Sequence, residues 1–157
     1  VIGMSAVTGA VPAAGLGNMA MAGEVQYKNV DDILASVKNK VFVDKDTYMD
    51  EVRKSDKAVV FFYNGTNDST GYNKNLARVF KELMNQFSNV KLICYDKDKE
   101  GYHINWYRDN FGFKGTPAFL MFKNGIKTFE HYKGPRNQQE IDKWVNLMPR
   151  AINDKLM

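Results

Sequence analysis

From Val30 onward the chain switches repeatedly between two hydrophobic periods. Val30, Ile33, Leu34 and Val37 fall at helical spacing, with Asn29 placed to cap and Asp31 and Asp32 in the first turn. Val41-Phe42-Val43 reads as a short strand. A second helix opens at Asp46 or Thr47 and runs to about Arg53, with Tyr48, Met49 and Val52 on one face. Lys57 to Tyr63 is an unbroken apolar run, the pattern of a strand buried on both faces of a parallel sheet. Lys74 to Phe87 returns to the helical period, and Leu76, Val79, Phe80, Leu83 and Phe87 form its inward stripe. Val90 to Tyr95 is the next strand, ended by the polar turn Asp96-Lys97-Asp98-Lys99. Tyr102 to Asn110 reads as a short helix closed by Phe111-Gly112-Phe113. Ala118 to Phe122 pairs through Asn124-Gly125, a strong hairpin signal, with Lys127 to Tyr132. The closing helix starts near Gln138 with Ile141, Trp144, Val145 and Met148 facing inward, and Pro149 is expected to disturb it.

Strands that alternate with helices predict a parallel portion, and the late hairpin adds an antiparallel edge. The expected fold class is therefore α/β: a central mixed sheet flanked by helices, preceded by one extra N-terminal helix. Gly115-Thr116-Pro117 enters the first strand of the hairpin. X-Pro is the one peptide bond that adopts cis at low cost, and Pro cannot donate to a sheet ladder. A Pro at the head of a good strand predicts a fixed, special backbone beside a binding position, and a cis bond between Thr116 and Pro117.

The run KGTPAFLMFKNG, Lys114 to Gly125, resembles the cis-proline strand and hairpin of the thioredoxin superfamily. Upstream, VVFFYNGT, Val59 to Thr66, is similar to the strand that delivers that superfamily's paired cysteines. The resemblance spans residues 41–148 and implies a thioredoxin-like fold. At the delivery point the chain reads Asn67-Asp68-Ser69-Thr70-Gly71-Tyr72-Asn73, seven residues where relatives carry Cys-x-x-Cys. Dithiol exchange needs a thiolate stabilised at a helix N-terminus, and no residue there supplies one. Ser69 and Thr70 are expected to cap the helix rather than act as nucleophiles. The buried acid of relatives corresponds to about Phe61, so the resemblance implies that the proton relay is gone with the thiols.

Composition narrows the remaining chemistry. A single cysteine, Cys94, rules out an intrachain disulfide, and its place inside an apolar strand predicts a buried core residue. His103 and His131 lie far apart, with no Cys or carboxylate at ligand spacing, so neither a metal nor another cofactor is expected. The net charge is +4, but the 22 basic and 18 acidic residues are interleaved, which argues against a nucleic-acid footprint. The first 22 residues carry no charge, and Ala20-Met21-Ala22 before Gly23 fits a signal-peptidase site. A basic n-region and an initiator Met are missing, so the expectation is a signal peptide over 1–22, truncated at its start. The glycines within it weaken a retained membrane span, and no stable membrane insertion is expected after cleavage. The expected organisation is then a helical extension over 23–40, a thioredoxin-like domain over 41–150 and a tail over 151–157, in a periplasmic or secreted protein. Asn64-Gly65-Thr66 and Asn67-Asp68-Ser69 are sequons, read here as turn chemistry.

Tyr63, Tyr72, Tyr102, Trp106, Tyr107, Phe111 and Phe113 flank the segments expected to converge on Thr116-Pro117. Tyr72 is singled out as a contact residue because it falls in a polar, extended loop. In the superfamily the backbone before the cis proline pairs with an extended client peptide, a form of strand addition that needs no cysteine. The resemblance therefore implies a non-enzymatic domain that binds protein or peptide between Asn67, Thr70, Gly71, Tyr72 and Asn73 on one side and Thr116 and Pro117 on the other. One alternative is an oxidoreductase relative acting through Cys94 or a partner's thiol, which an exposed Cys94 would favour. Another is a structural subunit that docks through Val30 to Val37 and through Ile152, Leu156 and Met157, which an exposed apolar patch there would favour.

Overall fold

A computed structural model describes residues 29–99, 115–131 and 136–157. In chain order the elements are α1 (Val30–Leu34), β1 (Lys40–Val43), α2 (Tyr48–Lys54), β2 (Lys57–Tyr63), α3 (Tyr72–Gln86), β3 (Lys91–Asp96), β4 (Ala118–Lys123), β5 (Ile126–His131) and α4 (Gln138–Leu156). The strands form one five-stranded sheet in the order β1-β3-β2-β4-β5. β1 and β2 each run parallel to β3, while β4 is antiparallel to β2 and to β5. The β4–β5 turn has Asn124 at φ 53° and Gly125 at φ 81°, the left-handed pair that a two-residue hairpin requires.

Alternation along β2 builds the two halves of the core. Val59, Phe61 and Tyr63 join the larger cluster with α1, α3 and α4, while Ala58, Val60 and Phe62 join the smaller one beside α2. β3 divides in the same way, with Leu92 and Cys94 on the first face and Ile93 and Tyr95 on the second. α1 is closed by the expected cap: the Asn29 side chain accepts from the Asp32 N–H, and Asp32 returns the bond to the Asn29 N–H.

Two boundaries differ from the sequence reading. α3 begins at Tyr72, so Tyr72 and Asn73 belong to its first turn and not to an extended loop. α4 does not stop at Pro149 but continues to Leu156. An interior Pro costs a helix about 3 kcal/mol through its missing N–H and ring clash. Beyond it Ile152 and Leu156 are fully buried, and each such side chain contributes about 1.5–3 kcal/mol, which offsets the loss. Residues 151–156 are thus the end of α4 rather than a tail, and Met157 follows them as the C-cap, its sulfur 3.9 Å from the Lys57 ammonium. Val30, Ile33, Leu34, Val37, Ile152 and Leu156 are inside the protein's own core, and of the apolar residues expected on a docking patch Met157 alone is exposed. The predicted signal segment, the helix over Tyr102 to Asn110 and the Phe111-Gly112-Phe113 turn lie outside the described residues.

Candidate functional site

The C-terminal ends of β2 and β3 meet the head of β4 at one edge of the sheet. The β2–β4 ladder ends at Phe62 opposite Ala118, which leaves Thr116 beyond the last pair. The Thr116-Pro117 bond is cis, as the sequence predicts. Arg136, from the approach to α4, fixes this corner: its guanidinium donates to the Gly115 carbonyl at 3.1 Å and to the Pro117 carbonyl at 3.1 and 3.3 Å. The same guanidinium lies over the Trp144 ring at 5.2 Å, so its aim is set by the core.

Opposite this corner runs the segment from Asn64 to Gly71, and carboxylates shape it. Asp98 accepts from the Asn64 amide at 2.8 Å, the Thr66 N–H at 2.9 Å, the Thr66 hydroxyl at 3.2 Å and the Asn67 N–H at 2.8 Å. Asp68 accepts from the Lys74 N–H at 2.9 Å, the Asn73 N–H at 3.2 Å and the Asn73 amide at 3.0 Å. Asp68 therefore satisfies the first N–H groups of α3 and is its effective cap, the role expected of Ser69 or Thr70. Thr70 contributes one longer bond, accepting from the Tyr72 N–H at 3.3 Å, and Ser69 is exposed. Gly71 takes the left-handed conformation, φ 78°, that turns the chain into α3.

Beneath the loop sits Asp96, buried at the end of β3. It accepts from the Gly65 N–H at 2.9 Å and from the Asp98 N–H at 3.0 Å. Burial pushes its carboxyl up to about 6, and the charges of Asp31 and Asp98 push the same way against those two N–H groups. Burial also opposes ionisation of Asp98, but the Asn67 and Thr66 N–H groups and the Asn64 amide outweigh it and hold that carboxyl below the usual range. α1 reaches the same place. The Val30 N–H donates to the Gly65 carbonyl at 3.3 Å, the Tyr63 hydroxyl donates to Asp31 at 2.5 Å, and Lys99 pairs with Asp31 at 3.0 Å.

Most of the residues picked from sequence converge here, though not equally. Asn67 and Thr70 lie exposed on the loop, and Gly71 and Asn73 form its junction with α3. Asn73 is buried, and its side chain accepts from the Asn64 N–H at 3.1 Å. Thr116 joins the other wall by donating its hydroxyl to the Asn64 side chain. Tyr72 departs from expectation: its ring is partly buried and packs against the larger core cluster. The sequence reading missed Asn64, Asp68, Asp96, Asp98 and Arg136. Asn64 and Asp68 stood within its sequons, where they looked like turn formers. Tyr102, Trp106, Tyr107, Phe111 and Phe113 lie outside the described residues.

No cysteine stands between Asn64 and Asn73. Phe61, buried in β2, stacks on Tyr63 at 5.1 Å and meets Phe80 at 4.9 Å with the rings tilted by 49°. Cys94 is 1% exposed, and burial pushes its thiol well above the usual range. Among the described residues no group of His, Cys, Asp and Glu is placed to hold a metal ion. No described helix is long and apolar enough to cross a membrane.

A mixed sheet with this strand order, helices on both faces and a cis proline opening its hairpin defines the thioredoxin-like class. The chain belongs to the thioredoxin family, whose model matches residues 39–147. Solved structures agree on the fold. Thioredoxin O1 from Arabidopsis thaliana in its oxidised state is 19% identical, with TM-score 0.57, covering 76% of this chain and 100% of that one. Spinach chloroplast thioredoxin F is 20% identical, with TM-score 0.56, covering 80% and 93%. A mutant thioredoxin from Halobacterium salinarum is 19% identical, with TM-score 0.52, covering 78% and 95%. No curated protein sequence matches the chain.

Proposed function

We propose that this protein is a thioredoxin-family domain that has lost dithiol exchange and works by binding an extended protein or peptide segment. The groove lies between the Asn64 to Asn73 segment and the Thr116-Pro117 corner. One observation carries the reading: the place of the family's paired cysteines is taken by a loop whose polar groups are hydrogen-bonded within the protein, while the single thiol is buried in β3. Thr116 lies two residues past the last pair of the β2–β4 ladder, where an added strand would continue the sheet. The oxidoreductase alternative needs an accessible, ionisable Cys94, and burial works against both. The uncharged residues 1–22 support export to a periplasm or the cell exterior, with the mature chain starting near Gly23.

The direct test is an NMR titration of isotope-labelled protein with carboxymethylated insulin B chain, an extended peptide whose thiols are blocked. Shift changes confined to residues 64–73 and 115–117 are expected. Changes elsewhere, or none up to millimolar peptide, would refute the groove.

A further inference from the structure

The two walls of the groove come from loops far apart in the chain, and one side chain touches both. Asn64 is half-buried between them. Its N–H donates to the Asn73 side chain at 3.1 Å, its amide NH2 donates to Asp98 at 2.8 Å, and its amide oxygen accepts from the Thr116 hydroxyl. These links span 9, 34 and 52 residues of sequence and join the start of α3, the turn after β3 and the proline corner. Asp98 is the fixed point of this set, because it also holds the Thr66 and Asn67 N–H groups.

Building on the groove reading above, we infer that Asn64 is a positioning residue: anchored on Asp98, it couples the loop wall to Thr116 and so presets the groove for an extended main chain. A primary amide is the side chain this place requires. It offers a donor toward the carboxylate and an acceptor toward the hydroxyl from one planar group. A carboxylate of the same shape would set two acceptors face to face at Asp98, and a hydroxyl residue is too short to span both partners. Because the Asn64 amide is engaged on both sides, it is also a poor glycan acceptor, whatever its sequon suggests.

The test is a swap of the two partners. Asn64→Asp and Asp98→Asn each break the donor–acceptor match, whereas Asn64→Asp/Asp98→Asn restores it with the roles exchanged. In the free protein the Thr116 γ-methyl resonance should move in each single variant and return toward its wild-type position in the double variant. Affinity for carboxymethylated insulin B chain should fall roughly tenfold in each single variant and recover to within about threefold in the double, one buried hydrogen bond being worth about that factor. A γ-methyl resonance unmoved by either single change, or a double variant as impaired as the two singles combined, would overturn the inference. If wild-type protein fails to bind the peptide, the function reading falls, and the γ-methyl shifts still decide the coupling. Should a single variant not fold, Thr116→Val reads the same link from its other end. The Asn64 side-chain NH2 resonances should then shift, and their constancy would count against the coupling.

Discussion

Gly65 is the position where a one-carbon change tests the carboxylate support of the loop. A Cβ there would lie 2.1 Å from one Asp96 carboxylate oxygen, 2.7 Å from its carbon and 2.9 Å from the other oxygen. Asp96 cannot step aside freely, since it is buried and holds the N–H groups of Gly65 and Asp98. Either the carboxylate withdraws and abandons those donors, or the loop shifts and the Val30 contact with the Gly65 carbonyl is lost. A hydrogen bond to a charged group is worth about 1.5–3 kcal/mol. Forcing an extra carbon into a packed site typically costs about 1–3 kcal/mol. Gly65→Ala should therefore cost about 3–5 kcal/mol of stability. At about 2–4 °C per kcal/mol, the melting temperature falls by at least about 6 °C.

The cause is isolated by a double-mutant cycle in urea at pH 7. Asp96→Ala destabilises by itself, because it leaves two N–H groups without their acceptor. In that background, however, the obstacle is gone and Gly65→Ala should cost about 1 kcal/mol at most, a coupling of about 2–4 kcal/mol. Equal costs of Gly65→Ala in the two backgrounds would refute the reasoning, for the carboxylate would then not be what Gly65 accommodates.

The ring of Phe80, fully buried against Phe61 and Phe119, should cost about 3–5 kcal/mol on truncation to Ala, measured by denaturant unfolding. Tyr72→Ala should cost an intermediate amount, about 1–3 kcal/mol, because its ring covers the core edge; a loss under about 0.5 kcal/mol would return it to the solvent-facing role. The Asp96 carboxyl should titrate near pH 6 by carbon-detected NMR. Its folded-state value is raised, so the stability it contributes is fully present below the ordinary carboxylate range and is lost as pH rises through about 6. Asp98 acts in the opposite sense, contributing stability above the ordinary range that is lost as pH falls through its lowered value. Asp96→Asn should flatten the dependence between about pH 4 and 6, and an unchanged slope would assign it to another group. Purified protein with dithiothreitol should not reduce insulin above the background rate, since one buried thiol cannot complete an exchange cycle. Turnover that vanishes in Cys94→Ser would restore the oxidoreductase alternative.

The frame was legible because it depends on short-range pattern. β2 matches the predicted run from Lys57 to Tyr63, and Asn124-Gly125 forms the turn its dihedral preferences dictate. What escaped depends on distance along the chain. The start of α3 was misplaced because Asp68 caps it from outside the helix, with Gly71 turning the chain between them. Nothing nearby in sequence announces that arrangement. Pro149 read as a stop because local cost was weighed without the burial of Ile152 and Leu156 beyond it. The candidate site was found as two ends without their joint: Thr116 and the polar loop were visible, but the Asn64, Asp96 and Asp98 links cross 31 to 52 residues.

Those links bear on how the site would behave in a cell. The loop is held by backbone N–H groups on Asp98 and Asp68, and by Asp96 from below. None of these contacts involves sulfur. A binding surface built in this way keeps its geometry whether the surroundings are oxidising or reducing, because no bond in it exchanges electrons. The proposed groove would respond instead to protons, through carboxylates that burial and hydrogen bonding move in opposite directions. Occupancy of the groove should accordingly follow pH near the Asp96 value and remain the same with and without a dithiol reductant.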